Sequence, residues 1–150
     1  MFEVIYYSRS GSTKKIAEAI AAELGVRAED AKMNKGLAKD SFVFLGSGYY
    51  ERKPEKELQE FINGNDFAGR QVALFGTSAR GKGNEIRAIE KLLKPKGALI
   101  RDSFYCKGKS WRFFINRGHP SNEDFANARE FASKMKKLSS KTARERNEKI

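Results

Sequence analysis

The chain has 150 residues, of which 39% are hydrophobic and 33% charged, enough for one domain with its own core. A single cysteine, Cys106, and a single histidine, His119, exclude a disulfide framework and a protein-only zinc centre, and no apolar run nears the roughly 20 residues of a membrane span. Thirty Lys and Arg against nineteen Asp and Glu leave a net charge of +11, which points to an acidic partner: nucleic acid, an anionic cofactor or an acidic protein surface.

In chain order, the first apolar run is Val4-Ile5-Tyr6-Tyr7, with no signal-type stretch before it, so a soluble, cytoplasmic protein is expected. Ile16, Ile20 and Leu24 then recur at helical spacing, with Thr13 as a cap and Gly25 as a stop. A weak, polar strand is expected between Val26 and Met33. The run Phe42-Val43-Phe44-Leu45 comes next, then a helix behind Pro54 with Leu58, Phe61 and Ile62 on one side. Val72-Ala73-Leu74-Phe75 precedes a stripe of Ile86, Ile89 and Leu93, and Ala98-Leu99-Ile100 marks a further strand. The final helix carries Phe125, Ala128, Phe131, Ala132, Met135 and Leu138, and Ser121 with Asp124 three residues on offers a reciprocal cap at its start. The runs do not alternate polar with apolar, as expected of strands covered on both faces. Strand and helix in alternation predict a three-layer, doubly wound α/β domain over residues 1–138. Residues 139–150 are polar and basic with no apolar stripe, and a frayed or disordered tail is expected there.

In such a sheet a ligand sits beyond the carboxyl ends of the strands. Ser8-Arg9-Ser10-Gly11-Ser12-Thr13 lies there, between a strand and a helix. Its hydroxyls, its glycine and the positive end of the helix make a phosphate site. The G-x-G-x-x-G fingerprint is absent, so a nicotinamide dinucleotide is not expected.

This loop resembles the phosphate loop of the flavodoxin-like family, which has Ser or Thr at its first, third and sixth positions and Gly at its fourth. Ser8, Ser10, Gly11 and Thr13 fill those places. The resemblance continues through Phe44-Leu45-Gly46-Ser47-Gly48-Tyr49, Phe75-Gly76-Thr77-Ser78, Phe104 to Gly108, and Gly118-His119-Pro120 with its following helix. It implies a parallel five-stranded sheet of order 2-1-3-4-5, as in short-chain flavodoxins. It also implies non-covalent FMN, with its phosphate in loop 8–13 and its ring between the other two loops. Gly46, Ser47 and Gly48 would approach the ring, and at least one of Tyr49 and Tyr50 would stack on it. Thr77, Ser78, Ala79, Arg80 and Gly81 would offer backbone groups to its polar edge. The third loop holds no aromatic residue, which leaves the second face of the ring to Trp111, to a partner or to nothing.

The function so implied is a small electron carrier between redox proteins, with no side chain acting as acid or base. The alternative is an FMN-dependent NAD(P)H:quinone or other small-molecule reductase on the same fold. A flavin-free nucleic-acid module is a third class, although the basic residues do not interleave with aromatics as in single-strand platforms. Gly76 to Gly83 also approaches the G-x-x-x-x-G-K nucleotide loop, but Gly83 stands where the magnesium-binding hydroxyl is needed. Familiar flavodoxins are acidic; this basic chain would dock acidic redox partners instead. Cations near the ring also favour its anionic reduced form: one charge about 8 Å away at an effective dielectric of about 20 contributes about 2 kcal/mol before screening. The second one-electron potential is therefore expected to be less negative than in acidic flavodoxins. Cys106 is expected to be a small buried hydrophobe, and His119 a turn residue without a catalytic part.

Overall fold

A computed structural model describes residues 1–48, 56–108 and 118–148. Five strands form one sheet: β1 (Phe2–Tyr7), β2 (Ala28–Asp30), β3 (Phe42–Gly48), β4 (Gln71–Ser78) and β5 (Leu99–Lys107). Their spatial order is β2-β1-β3-β4-β5 and every pairing is parallel, as the sequence predicts. Among the described residues four α-helices flank the sheet: α1 (Ser12–Leu24), α2 (Lys56–Asn63), α3 (Asn84–Leu93) and α4 (Asn122–Glu148).

Side-chain alternation on the strands divides the core in two. Val4, Tyr6, Phe42, Phe44, Ala73 and Phe75 pack against α1 and α4. Ile5, Tyr7, Val43, Leu45, Val72 and Leu74 pack against α2 and α3. All seven residues of β3 are buried, which explains its unbroken apolar run. At the sheet edge β5 departs from that expectation: Leu99, Arg101, Tyr105 and Lys107 are exposed. The strand also runs on to Lys107, well beyond the short apolar run at its start.

Two helix ends differ from expectation. The residue before α1 is Gly11, in the left-handed region at φ 90°, and Thr13 lies inside the helix rather than capping it. At the other end Gly25 does close the helix, at φ 72°, with its amide donating to the Ala21 and Ala22 carbonyls. The helix α4 continues to Glu148, through most of the stretch expected to fray. Its buried face stops at Met135, so that extension stands on local terms. Lys, Arg, Glu and Ala are strong helix formers. Ser140 and Thr142 donate their hydroxyls to the carbonyls of Lys136 and Leu138, one turn back on the same helix.

The start of α4 is as predicted. The Ser121 amide donates to Asp124 Oδ2 at 2.8 Å, and the Asp124 amide donates to Ser121 Oγ at 3.2 Å. His119 Nδ1 lies 3.1 Å from the same carboxylate. Burial pushes Asp124 up, but the Ser121 amide and His119 outweigh it and hold the carboxyl below its ordinary value. No helix among the described residues is long and apolar enough to cross a membrane.

Candidate functional site

Parallel strands deliver their carboxyl ends to one edge, and the register aligns them there. Tyr7 pairs with Ser47, Ser47 with Gly76, and Gly76 with Tyr105. The loops after β1, β3 and β4 therefore leave from a single row.

The first loop is tied by its own hydroxyls. The Gly11 amide donates to Ser8 Oγ at 3.1 Å, and the Ser12 amide to Ser10 Oγ at 3.3 Å. Gly11 brings no side chain to cap α1, and no acidic residue lies in the first turn. The positive end of the helix thus faces the loop without a competing carboxylate. That charge pattern is one that could hold an anion such as a phosphate. Ser8 and Ser10 are half-buried and Arg9 is exposed. Thr13 is fully buried, and its hydroxyl meets that of Thr77 at 2.8 Å, 64 residues away. Its job in this structure is to join the first and third loops, in place of the capping role expected of it.

The second loop is only partly in view, since Tyr49 and Tyr50 fall outside the described residues, as does Trp111. Gly46 also serves the core. A Cβ there would overlap the ring of Phe75, so its missing side chain makes room for the core. Ser47 is buried and donates to the Gly48 carbonyl at 2.8 Å. Gly48 closes β3 opposite Thr77.

In the third loop the Gly81 amide donates to Ser78 Oγ at 3.0 Å, and Ala79 and Arg80 are exposed at the rim beside Lys82. Gly81, at φ 63°, folds back toward Lys107 of β5. The sequence reading missed two residues here. Gly108 donates its amide to the Ser78 carbonyl at 2.9 Å, and a Cβ on it would come within 2.9 Å of Thr77 Cβ and 3.1 Å of Ser12 Cβ. Only a glycine lets the end of β5 close against both loops.

The second missed residue is Glu85, in the first turn of α3. It is 2% exposed, and among the described residues neither carboxyl oxygen has a hydrogen-bond partner. Its side chain lies over Gly76, where a Cβ would overlap Glu85 Cγ. Burial pushes this carboxyl above its ordinary value, while its own amide and Arg87 offset only part of the rise. An acid at a helix start is common, and nothing local says that it is buried.

Cys106 is 7% exposed, and burial, then Asp124 and Glu85, push its thiol up to about 12. It is a packing residue, as expected. Among the described residues no group of His, Cys, Asp and Glu could hold a metal ion.

Residues 3–112 match the family model for the flavodoxin domain. An uncharacterised protein of Methanocaldococcus jannaschii is 28% identical over 136 residues, covering 84% of this chain and 91% of that one. A flavodoxin of Clostridium beijerinckii is 28% identical over 112 residues, covering 65% of this chain and 79% of that one. Among solved structures, a short-chain flavodoxin associated with a bacterial microcompartment superposes with a TM-score of 0.70 at 15% identity, covering 92% of this chain and 98% of that one.

Proposed function

The chain belongs to the flavodoxin domain family, and from that premise we propose that it binds FMN without a covalent bond and carries electrons singly between redox proteins. One observation carries the reading: the hydroxyl-lined Ser8–Thr13 loop leads through a left-handed glycine into a helix start with no side-chain cap and no acid.

Ser8, Ser10 and Ser12, with the loop amides and the first turn of α1, would hold the phosphate. Gly46, Ser47 and Gly48 on one side and Thr77 to Gly81 on the other would flank the ring, with at least one of Tyr49 and Tyr50 proposed to stack on it. Bound FMN supplies reversible one-electron chemistry, and no side chain needs to act as acid or base. Arg80, Lys82 and Lys107, all exposed at the rim, suit an acidic redox protein as partner.

The test is titration of the purified protein with FMN, followed by flavin absorbance and fluorescence quenching. Saturable binding, lost when Ser8, Ser10 and Gly11 are replaced together, is the expected result. Binding that survives those replacements overturns the phosphate assignment. Rapid turnover of NAD(P)H with a quinone by the isolated protein would overturn the carrier role in favour of a reductase.

A further inference from the structure

Glu85 is a costly residue for its position. A buried carboxyl without a partner is disfavoured in either protonation state, and an apolar side chain would fill the same space at no such penalty. The seat is also built on both sides. Gly76 ends the apolar run Val72 to Phe75, and Glu85 occupies the volume that a side chain at Gly76 would take. The carboxyl therefore lies beneath the carboxyl end of β4, one residue below Thr77, with Ser47 of β3 alongside in register. Those are the strands from which the second and third loops leave.

The surroundings set its response. From its own helix, Arg87 favours the charged form. From β5, the Cys106 thiol feels the Glu85 charge through the sheet, together with that of Asp124 from α4. Tyr105 packs at Gly83 and Lys107 at Gly81, both on the loop above Glu85. From β3 the neighbour is the uncharged Ser47. The buried side of α2 is apolar, with Leu58, Phe61 and Ile62, while Lys56 and Glu60 are exposed and face each other at 3.7 Å. Among these groups none neutralises Glu85 by direct contact, so its protonation is free to follow a charge placed at the loops.

We propose that Glu85 takes up a proton when an electron arrives at the site above it. The inference rests on the FMN reading. One electron passes from a one-electron donor, which is oxidised, to the bound cofactor, which is reduced. One proton passes from solvent to a Glu85 carboxylate oxygen, forming an O–H bond. The net charge added beneath the loops is then zero. By linkage the reverse also holds: a protonated Glu85 makes the second reduction easier.

The experiment is potentiometry on the FMN-loaded protein between about pH 5 and about pH 8, for wild type and Glu85→Gln. Wild type should lose up to tenfold in the equilibrium constant of second-electron uptake per pH unit, which is about 59 mV. The Gln variant should keep only the slope that the ring's own titration gives. The reduced-minus-oxidised infrared spectrum of wild type should contain a carboxylic C=O band that moves on labelling glutamate with heavy carbon. That measurement needs no variant to fold. Identical pH profiles in the two proteins, or no such band, overturn the proposal and leave FMN binding intact. A protein that takes up no FMN overturns both.

Discussion

The corners β1–α1 and β4–α3 use one backbone device for opposite electrostatic ends. Each leaves its strand through a left-handed glycine, Gly11 at φ 90° and Gly83 at φ 73°, and neither glycine caps its helix with a side chain. Behind Gly11 come Ser12 and Thr13, with no acid in the first turn. Behind Gly83 comes Glu85, buried and without a hydrogen-bond partner among the described residues. A helix start without a carboxylate is open to an incoming anion. One that already holds a carboxylate repels a second negative charge unless a proton arrives with it. The Thr13–Thr77 hydroxyl pair then joins the two corners into one unit.

The largest expected effect strips the first corner. Ser8→Ala with Ser10→Ala removes two hydroxyls from a dianionic ligand. Hydrogen bonds to charged groups contribute about 1.5–3 kcal/mol each, so FMN affinity should fall by roughly 100-fold or more. The matched change in the third corner, Ser78→Ala, removes a bond between uncharged groups and should weaken affinity less than about tenfold. Calorimetric titration of both variants checks the contrast. Equal losses would erase the distinction between the corners.

Next in size is the seat of Glu85. Gly76→Ala places a methyl group where Glu85 Cγ lies and should destabilise the protein by about 1–3 kcal/mol in urea unfolding. Adding Glu85→Ala should return much of that loss, giving a coupling above about 0.5 kcal/mol in a double-mutant cycle. Gly11→Ala meets open space but a left-handed backbone, and should cost about 1–2 kcal/mol whatever stands at position 85. Additive behaviour in the first pair would mean that Gly76 and Glu85 do not share one space.

The two corners were unequally legible in the sequence. Ser8 to Thr13 is a contiguous pattern whose chemistry is carried by neighbouring residues, so reading it needs only the strand before and the helix after. The parallel α/β class follows from the same alternation of elements, and the sheet order from the resemblance that this loop carries. Glu85 depends on Gly76, nine positions earlier on a different element, and on the packing of α3 onto β4. From its neighbours alone it looks like an acid placed to suit a helix dipole. The same limit explains Thr13, whose partner is Thr77, and Gly46, whose missing side chain answers to Phe75 on the neighbouring strand. The extension of α4 was missed for another reason. The lack of an apolar stripe was read as lack of order, whereas helix propensity carries the segment to Glu148.

A pH series on the cofactor-free protein separates the corners more finely. Glu85 is raised by burial, so the folded state holds a proton that the unfolded state releases. Stability should be greatest below the ordinary carboxylate value and fall as pH rises through the folded value, by at most about 1.4 kcal/mol per pH unit for one proton. Asp124, lowered in the fold, works the other way: its contribution is present above its ordinary value and is lost on acidification. Urea midpoints across this range should show the alkaline-side decline in wild type and not in Glu85→Gln. The acid-side decline should survive in both proteins and vanish in Asp124→Asn.

The smallest effect comes from the exposed cations that crown the acidic corner. Arg80 and Lys82 stand at the rim above Glu85, in solvent. Exposed charges contribute about 0.2–1 kcal/mol, and about 1.4 kcal/mol corresponds to 59 mV for one electron. Replacing both by Gln should therefore lower the second one-electron potential by about 10–40 mV. Screening separates this contribution from that of Glu85. Raising the ionic strength from about 0.01 M to about 1 M shortens the Debye length from about 30 Å to about 3 Å, so the gap between wild type and the double variant should close. The gap between wild type and Glu85→Gln should persist, because ions do not reach a buried carboxyl. If salt closed both gaps alike, Glu85 would be acting as a surface charge and the contrast between the corners would reduce to composition.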